Sequence, residues 1–183
     1  MKTNILLAAL VLVALAVGSW VGYDIGFEKS KKNGATVLDV SDFDDCVGQT
    51  GTVAESYPAQ CSIGGKTFTQ DIGNELEKAD LIKIDSPRPN AVITSPLTIK
   101  GQARGTWFFE ASFPVHLYDA NDKQIAVKPA MTSENWMSED FVSYEVVLTF
   151  KKPTTKTGYL LLKNDNPSGL PENDDFLKVP VKF

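Results

Sequence analysis

Residues 141–150 read FVSYEVVLTF. Apolar residues recur at every second position, as in a strand with one face in a core and the other in water. Ser143, Glu145 and Thr149 fall on the polar face, where Val147 is the exception. The stretch predicts a half-buried β-strand whose inward face consists of Val142, Tyr144, Val146, Leu148 and Phe150.

Further strands of this kind fill the C-terminal part of the chain. The last eight residues, FLKVPVKF, alternate in the same way, and Pro180 within them indicates an edge strand or a bulge. Asn121 and Asp122 supply a turn between two other candidates. The remaining candidates are residues 82–85, 91–94, 97–103, 111–119, 123–128 and 157–163. So many short strands predict a mainly β protein with an immunoglobulin-like antiparallel β-sandwich over residues 81–183.

Composition sets limits on function. The 183 residues are 43% hydrophobic with a net charge of −5, which is unevenly distributed. Residues 1–32 carry +2, residues 33–81 carry −7 and residues 82–183 carry 0. No segment is basic enough to follow a phosphate backbone, so a nucleic-acid partner is not expected.

The N-terminal residues 1–23 predict a membrane-directed helix. Ile5 to Tyr23 contains no charged residue, and such a helix spans roughly 28 Å, close to the hydrocarbon core of a bilayer. The length of the run, with Trp20 and Tyr23 at its far end, favours an uncleaved anchor. The small-x-small triplets Ala14-Leu15-Ala16 and Ala16-Val17-Gly18 also fit cleavage of a signal peptide, which leaves a secreted form as the alternative.

Orientation and self-association of this helix are separate hypotheses. Lys29, Lys31 and Lys32 follow the run and by themselves favour a cytoplasmic C-terminal side. The cysteines favour the opposite, a single-pass protein of the cell membrane with its bulk extracytoplasmic. A stripe of small residues predicts helix–helix contact and a possible homodimer, through Ala14, Gly18, Gly22 and Gly26.

The two cysteines define a small unit at residues 46–80, after a polar linker at residues 24–45. Cys46 and Cys61 are not spaced as C-x-x-C, and one His in the chain cannot complete a four-ligand zinc site with them. After export a structural disulfide is the expected state, and its loop contributes roughly 3 kcal/mol. Gly64-Gly65 predicts a tight hairpin, and residues 74–79 predict a helical turn. The unit resembles a two-cysteine motif of exported bacterial proteins, with ESYPAQC at its centre.

The aromatic stretch at residues 104–118, RGTWFFEASFPVHLY, raises the possibility of a binding surface. Alternation over the whole stretch places Trp107, Phe109 and Phe113 on the core face. Phe108 then falls on the opposite face, beside a charge pair of Arg104 and Glu110. These three residues are the candidate partner-binding residues, although a neighbouring loop could equally cover the Phe108 ring.

Two other groups of residues have the composition of possible sites. His116 is the only histidine, and no motif places a nucleophile beside it, so catalysis is not expected. The loop NDNPSGLPENDD offers hard oxygen ligands for calcium but lacks the spacing of an EF-hand. The candidate ligands are Asp165, Asn166, Asn173, Asp174 and Asp175.

Residues 82–183 resemble a known family. The segments VITSPLTIKGQARGTWFFEASFPVHLYDANDKQIA, NWMSEDFVSYEVVLTF, GYLLLKNDNPSGLPENDD and VPVKF look like the immunoglobulin-like domain of bacterial sporulation and germination (GerMN-associated) proteins. The resemblance implies an extracytoplasmic, non-catalytic β-sandwich.

The expected function is therefore that of a membrane-tethered protein whose sandwich interacts with an unidentified protein or polymer of the bacterial cell envelope. No cofactor is expected apart from the calcium hypothesis. The alternative is a module that binds a small ligand, either calcium or a glycan.

Overall fold

The computed structural model describes residues 39–183, which begin with a small disulfide-closed unit. Its elements are α1 (Phe43–Gly48), β1 (Thr52–Ala54), β2 (Gln60–Ile63), β3 (Lys66–Thr69) and α2 (Glu75–Lys78). The three strands form one sheet in the order β1-β2-β3. Cys46 of α1 and Cys61 of β2 form the expected disulfide, and both residues are fully buried.

Local sequence signals explain most of this unit. Ile63 pairs with Lys66 across Gly64 and Gly65, whose φ angles of 58° and 78° are those of the predicted tight hairpin. The helical turn expected near residue 75 is α2. Helix α1 begins at Phe43, inside the range expected to be linker, because the Asp42 side chain accepts a hydrogen bond from the Asp45 N–H and caps it.

Seven further strands form the predicted antiparallel sandwich. They are β4 (Ile82–Ser86), β5 (Leu97–Arg104), β6 (Ser112–Asp119), β7 (Gln124–Met131), β8 (Phe141–Leu148), β9 (Thr157–Lys163) and β10 (Phe176–Lys182). Their order is β10-β9-β6-β7-β8-β5-β4. Since β7 and β8 pair only at Met131 and Glu145, the chain folds there into two layers, β4-β5-β8 and β7-β6-β9-β10. The mainly β, immunoglobulin-like architecture is confirmed.

Alternation places the core between these layers. In β8 the even-numbered residues from Val142 to Leu148 are buried, as the alternation in residues 141–150 predicts, and Val147 on the outer face is 37% exposed. Phe113, Val115 and Leu117 of β6 face them with no exposed surface. Residues 91–94 do not form the predicted strand. Val92 alone pairs with Lys182, in parallel orientation.

Pro180 lies on an edge strand, as expected. The backbone groups of alternate β10 residues point away from β9: Pro180 O accepts the Asn90 N–H at 2.7 Å, and the Lys182 N–H donates to Ala91 O at 2.9 Å. The proline nitrogen faces the same outer side, so the missing N–H removes no hydrogen bond to β9.

The disulfide-closed unit packs along this outer edge of β10. The Asn74 side chain replaces a neighbouring strand there, accepting the Lys178 N–H at 2.7 Å and donating to Phe176 O at 2.9 Å. Lys78 pairs with Asp175 at one end of β10, and Asp44 pairs with Lys182 at the other. Residues Val40–Phe183 accordingly form one compact unit.

A buried carboxylate adds a second attachment between the unit and the sandwich. Glu75 is 9% exposed, pairs with Arg88 at 2.7 Å and accepts a hydrogen bond from the Tyr57 hydroxyl. Arg88 also donates to Ile84 O, which fixes the guanidinium against β4. Burying Glu75 is tolerated because its charge is both paired and hydrogen-bonded.

The expectations for residues 1–38 lie outside the described residues. These include the anchor or signal peptide, the stripe of Ala14, Gly18, Gly22 and Gly26, and most of the linker. Within residues 39–183, no helix is long and apolar enough to span a membrane.

Gly73 provides a test of the packing of the disulfide-closed unit against β10. Its φ is +69°, and an added Cβ would lie 1.9 Å from Lys178 O on β10. Gly64 has a similar φ of +58° with nothing within 4 Å, so it is a matched control. We expect Gly64→Ala to lower the free energy of unfolding by about 1 kcal/mol through backbone strain alone. Gly73→Ala should cost about 1–3 kcal/mol more, measured by urea denaturation. Equal losses would show that the close approach to β10 contributes nothing.

Candidate functional site

Strand direction divides the sandwich loops between two ends of opposite charge. Successive strands from β4 to β10 alternate in direction, so the loops at 105–111, 132–140 and 164–175 meet at one end. These three loops contain eight acidic residues and no Lys or Arg, and we call this the acidic end. The loops at 87–96, 120–123 and 149–156 form the basic end, with five basic residues and one acidic residue.

Two loops of the acidic end are held together by close backbone contact. A 3-10 turn at Gly105–Trp107 follows β5, and the Gly105 N–H donates to Asp140 O at 3.1 Å. A Cβ on Gly105 would lie 2.0 Å from Ser138 O and 2.1 Å from Trp136 O. Only glycine allows this approach, which positions the 132–140 loop beside the turn.

An open groove of about 320 Å³ lies between these two loops. The Phe108 ring, only 4% exposed, forms its floor, and the half-buried Trp136 and the Met137 side chain, 76% exposed, border it. The complete lining is Gly105, Thr106, Phe108, Trp136, Met137, Ser138 and Glu139. We call it the Phe108 groove. An open apolar groove with polar groups at its edge suits contact with a partner.

The predicted alternation, with Phe109 on the core face and Phe108 on the opposite face, is wrong. Phe108 packs edge to face on Phe113 with ring centroids 5.1 Å apart, whereas Phe109 is 41% exposed. The 3-10 turn and two left-handed residues, Glu110 (φ 49°) and Ala111 (φ 61°), break the alternation before β6 begins. The parity of a strand therefore applies only from Ser112 onward.

The expected pair of Arg104 and Glu110 does not form among the described residues. Arg104 instead donates to Asp80 O at 2.9 Å and to Glu139 O at 3.0 Å, and its guanidinium lies 4.3 Å from the centroid of the Phe141 ring. Glu110 lies after the turn, on the left-handed segment that leads into β6. Arg104 thus holds the 132–140 loop in place, and Glu110 stays free of that cation.

The candidate calcium loop uses its polar groups on itself. Asn166 donates to Asp174 at 2.9 Å and to Leu170 O at 2.8 Å, while its own side-chain oxygen accepts from Ser168. Asn173 donates to Ser168 at 3.0 Å, and Asp175 is paired with Lys78. Within residues 39–183 no group of three or more His, Cys, Asp or Glu side chains is arranged to hold a metal ion.

Carboxylates crowd each other at this end. The Asp165 N–H donates to Trp107 O at 3.0 Å, which brings residue 165 to the 105–111 loop. Partial burial raises the pKa of Asp165 above its ordinary value, and the nearby negative charge of Glu110 raises it further. The acidic end therefore has a negative potential that a cationic group would relieve.

The solitary histidine lies elsewhere. His116 is on the outer face of β6, where its Nδ1 is 2.8 Å from the Gln124 side-chain oxygen and its ring stacks on Tyr118. Tyr118 stacks in turn on Tyr159, with 5.1 Å between ring centroids. These contacts make the group a ladder of packed side chains on the sheet surface.

Sequence reasoning missed Trp136 and Met137. Two large apolar residues stand together inside the polar loop TSENWMSED, which is an unusual place for them. That composition, combined with the alternation of loops between the two ends, would have indicated the Phe108 groove.

Comparison with known proteins gives a family similarity for most of the sandwich. Residues 81–169 match the family model Gmad2, the immunoglobulin-like domain of bacterial spore germination. The match confirms the resemblance found in the sequence. The matched range ends inside the loop after β9. It includes every residue of the Phe108 groove, whereas β10, which completes the layer, follows the matched range. No curated protein and no solved structure matches the chain.

The exchanged positions of the two phenylalanines can be tested by stability. Phe108→Ala should lower the free energy of unfolding by about 3–5 kcal/mol, as expected for a truncated core phenylalanine. Phe109→Ala, at the adjacent and largely solvated position, should cost about 1 kcal/mol or less. Chemical denaturation of both variants gives the comparison, and a larger loss for Phe109→Ala would restore the original parity.

Proposed function

We propose that this chain is a non-catalytic, membrane-tethered extracytoplasmic protein whose Gmad2 domain binds another component of the cell envelope through the acidic end. The Phe108 groove is the observation that carries the proposal. It is a largely apolar surface, and Met137 at its edge is 76% exposed and outside the core.

The proposed location rests on two features. A buried disulfide between Cys46 and Cys61 is typical of proteins outside the reducing cytoplasm. The uncharged run from Ile5 to Tyr23 provides the proposed anchor, with secretion after cleavage as the alternative.

Helix α1 lies at the end of the sandwich opposite the Phe108 groove. The Phe183 N–H donates to Lys156 O, which places the end of β10 at the basic end. Asp44 of α1 pairs with Lys182 near that end of β10. Within the described residues, α1 therefore leaves the groove uncovered.

A binding role agrees better with the side chains than a catalytic one. His116 contacts Gln124 and Tyr118, and no serine or cysteine is hydrogen-bonded to it among the described residues. Glu139 lines an open apolar groove, from which water is not excluded. Such a surface suits recognition.

Location can be tested by the intact mass of protein from its native host, after thiol alkylation without reductant. We expect the full-length mass with both cysteines unalkylated, since the anchor is retained and the disulfide is formed. A mass that begins near Val17 or Ser19 would contradict the tether and support secretion. Two alkylated cysteines would contradict the extracytoplasmic location.

The binding surface can be tested with a photo-crosslinking amino acid at position 137 in the native host. We expect crosslinked products from position 137 and none from position 127. Val127 is a matched control because it is 51% exposed on β7, away from the Phe108 groove. Equal crosslinking at both positions, or none at either, would contradict a specific surface at the acidic end.

A further inference from the structure

We infer that the Phe108 groove binds a basic peptide segment of an envelope protein, which inserts one aliphatic or aromatic side chain beside Met137. The inference rests on the proposed function and specifies the chemistry of its partner. Shape indicates the inserted side chain, and charge indicates the basic segment around it.

The shape of the groove suits one anchoring side chain. At about 320 Å³ it is at the lower limit of ligand pockets, and it is open to solvent. Its floor is rigid because the Phe108 ring is packed in the core against Phe113. Met137 is exposed and flexible, and methionine adapts its shape to different apolar partners. A rigid floor with an adaptable edge is typical of a pocket for a hot-spot residue.

The charge around the groove selects a cationic partner. Glu139 lines the groove, and Glu110, Glu134 and Asp140 lie in the same two loops. Arg104, at the end of β5 just before the 105–111 loop, already donates to backbone oxygens of Asp80 and Glu139. Of the eight acidic residues at this end, Asp175 is paired, with Lys78. Lysine or arginine residues flanking an inserted side chain would therefore meet free carboxylates.

Other occupants fit less well. Anionic polymers and acidic peptides would be repelled by the acidic end. The basic end of a second copy has suitable charge, in Lys151, Lys152 and Lys156. A second copy is therefore an outcome that the test below must distinguish from a basic peptide.

The test uses the full chain in neutral detergent and a fluorescent lysine-rich peptide with one central leucine. Binding is measured by anisotropy at low and at physiological salt. Two matched peptides carry serine in place of leucine, or glutamate in place of lysine. Met137→Ser removes the edge of the groove, and Leu170→Ser is its control, being 50% exposed at the same end but outside the lining. The double variant Glu110→Gln, Glu139→Gln removes two negative charges from the acidic end. The double variant Glu55→Gln, Asp85→Asn removes two negative charges at exposed positions outside that end and is its control.

We expect Met137→Ser to weaken binding about tenfold with an unchanged salt dependence, because an apolar contact is lost. The Glu110→Gln, Glu139→Gln variant should reduce the salt dependence, because charge attraction is lost. Both control variants should bind like the parent chain. The serine peptide should bind about tenfold more weakly, and the glutamate peptide should not bind.

Several results would overturn the inference. Equal affinity for the leucine and serine peptides would mean nonspecific charge attraction only. Equal loss in Met137→Ser and Leu170→Ser would mean that the groove is not the site. A dimer of the chain that sedimentation detects and Met137→Ser abolishes would mean that a second copy covers it. If the peptide does not bind while position 137 still crosslinks in the host, the basic occupant is wrong and the proposed function stands. If the peptide does not bind and position 137 does not crosslink, both the inference and the proposed function are refuted.

Discussion

Strand direction alternates strictly along the sandwich, and this alternation determines where the loops and their charges lie. Because every strand from β4 to β10 runs opposite to the one before it, each successive loop falls at the other end of the sandwich. Strands of eight residues separate the ends by roughly 26 Å, which exceeds the Debye length of about 8 Å at physiological salt. Charges at the two ends therefore act independently, although residues 82–183 have no net charge. The acidic end exists because of topology as much as composition.

An open strand edge is the main liability of such a sandwich, and the disulfide-closed unit covers one. Unpaired backbone groups on β10 would otherwise be available to other chains. The Asn74 side chain, residues 90–93 and Pro180 together leave that edge without free donors along its middle. The unit has few core residues of its own, so the Cys46–Cys61 link keeps it ordered enough to serve as this cover.

Regular strands were predictable from sequence because their periodicity is local. The alternation in FVSYEVVLTF and the Gly64-Gly65 hairpin needed no knowledge of tertiary structure, and both are confirmed. The stretch before β6 was not predictable in this way. Its residues satisfy a strand pattern by chance, but Gly105 packs against Ser138 and Trp136, and that contact between distant residues imposes the 3-10 turn. Once the turn forms, Phe108 rotates into the core and Phe109 out of it.

The same tertiary contact explains why the proposed site differs from the predicted one. The sequence indicated an aromatic and acidic region, and the groove does contain Phe108, with Glu110 nearby in the same loop. Their roles changed, since the phenylalanine became the floor and the 132–140 loop supplied the exposed apolar residues. Local patterns identify which residues are unusual. Predicting a surface formed by two loops also requires their register, which is how the two loops are positioned against each other. Here that register is set by the close approach at Gly105 and by Arg104, which binds backbone oxygens on both sides of β5. A binding surface fixed in this way is preorganised, so the binding of a partner loses little entropy through the ordering of loops.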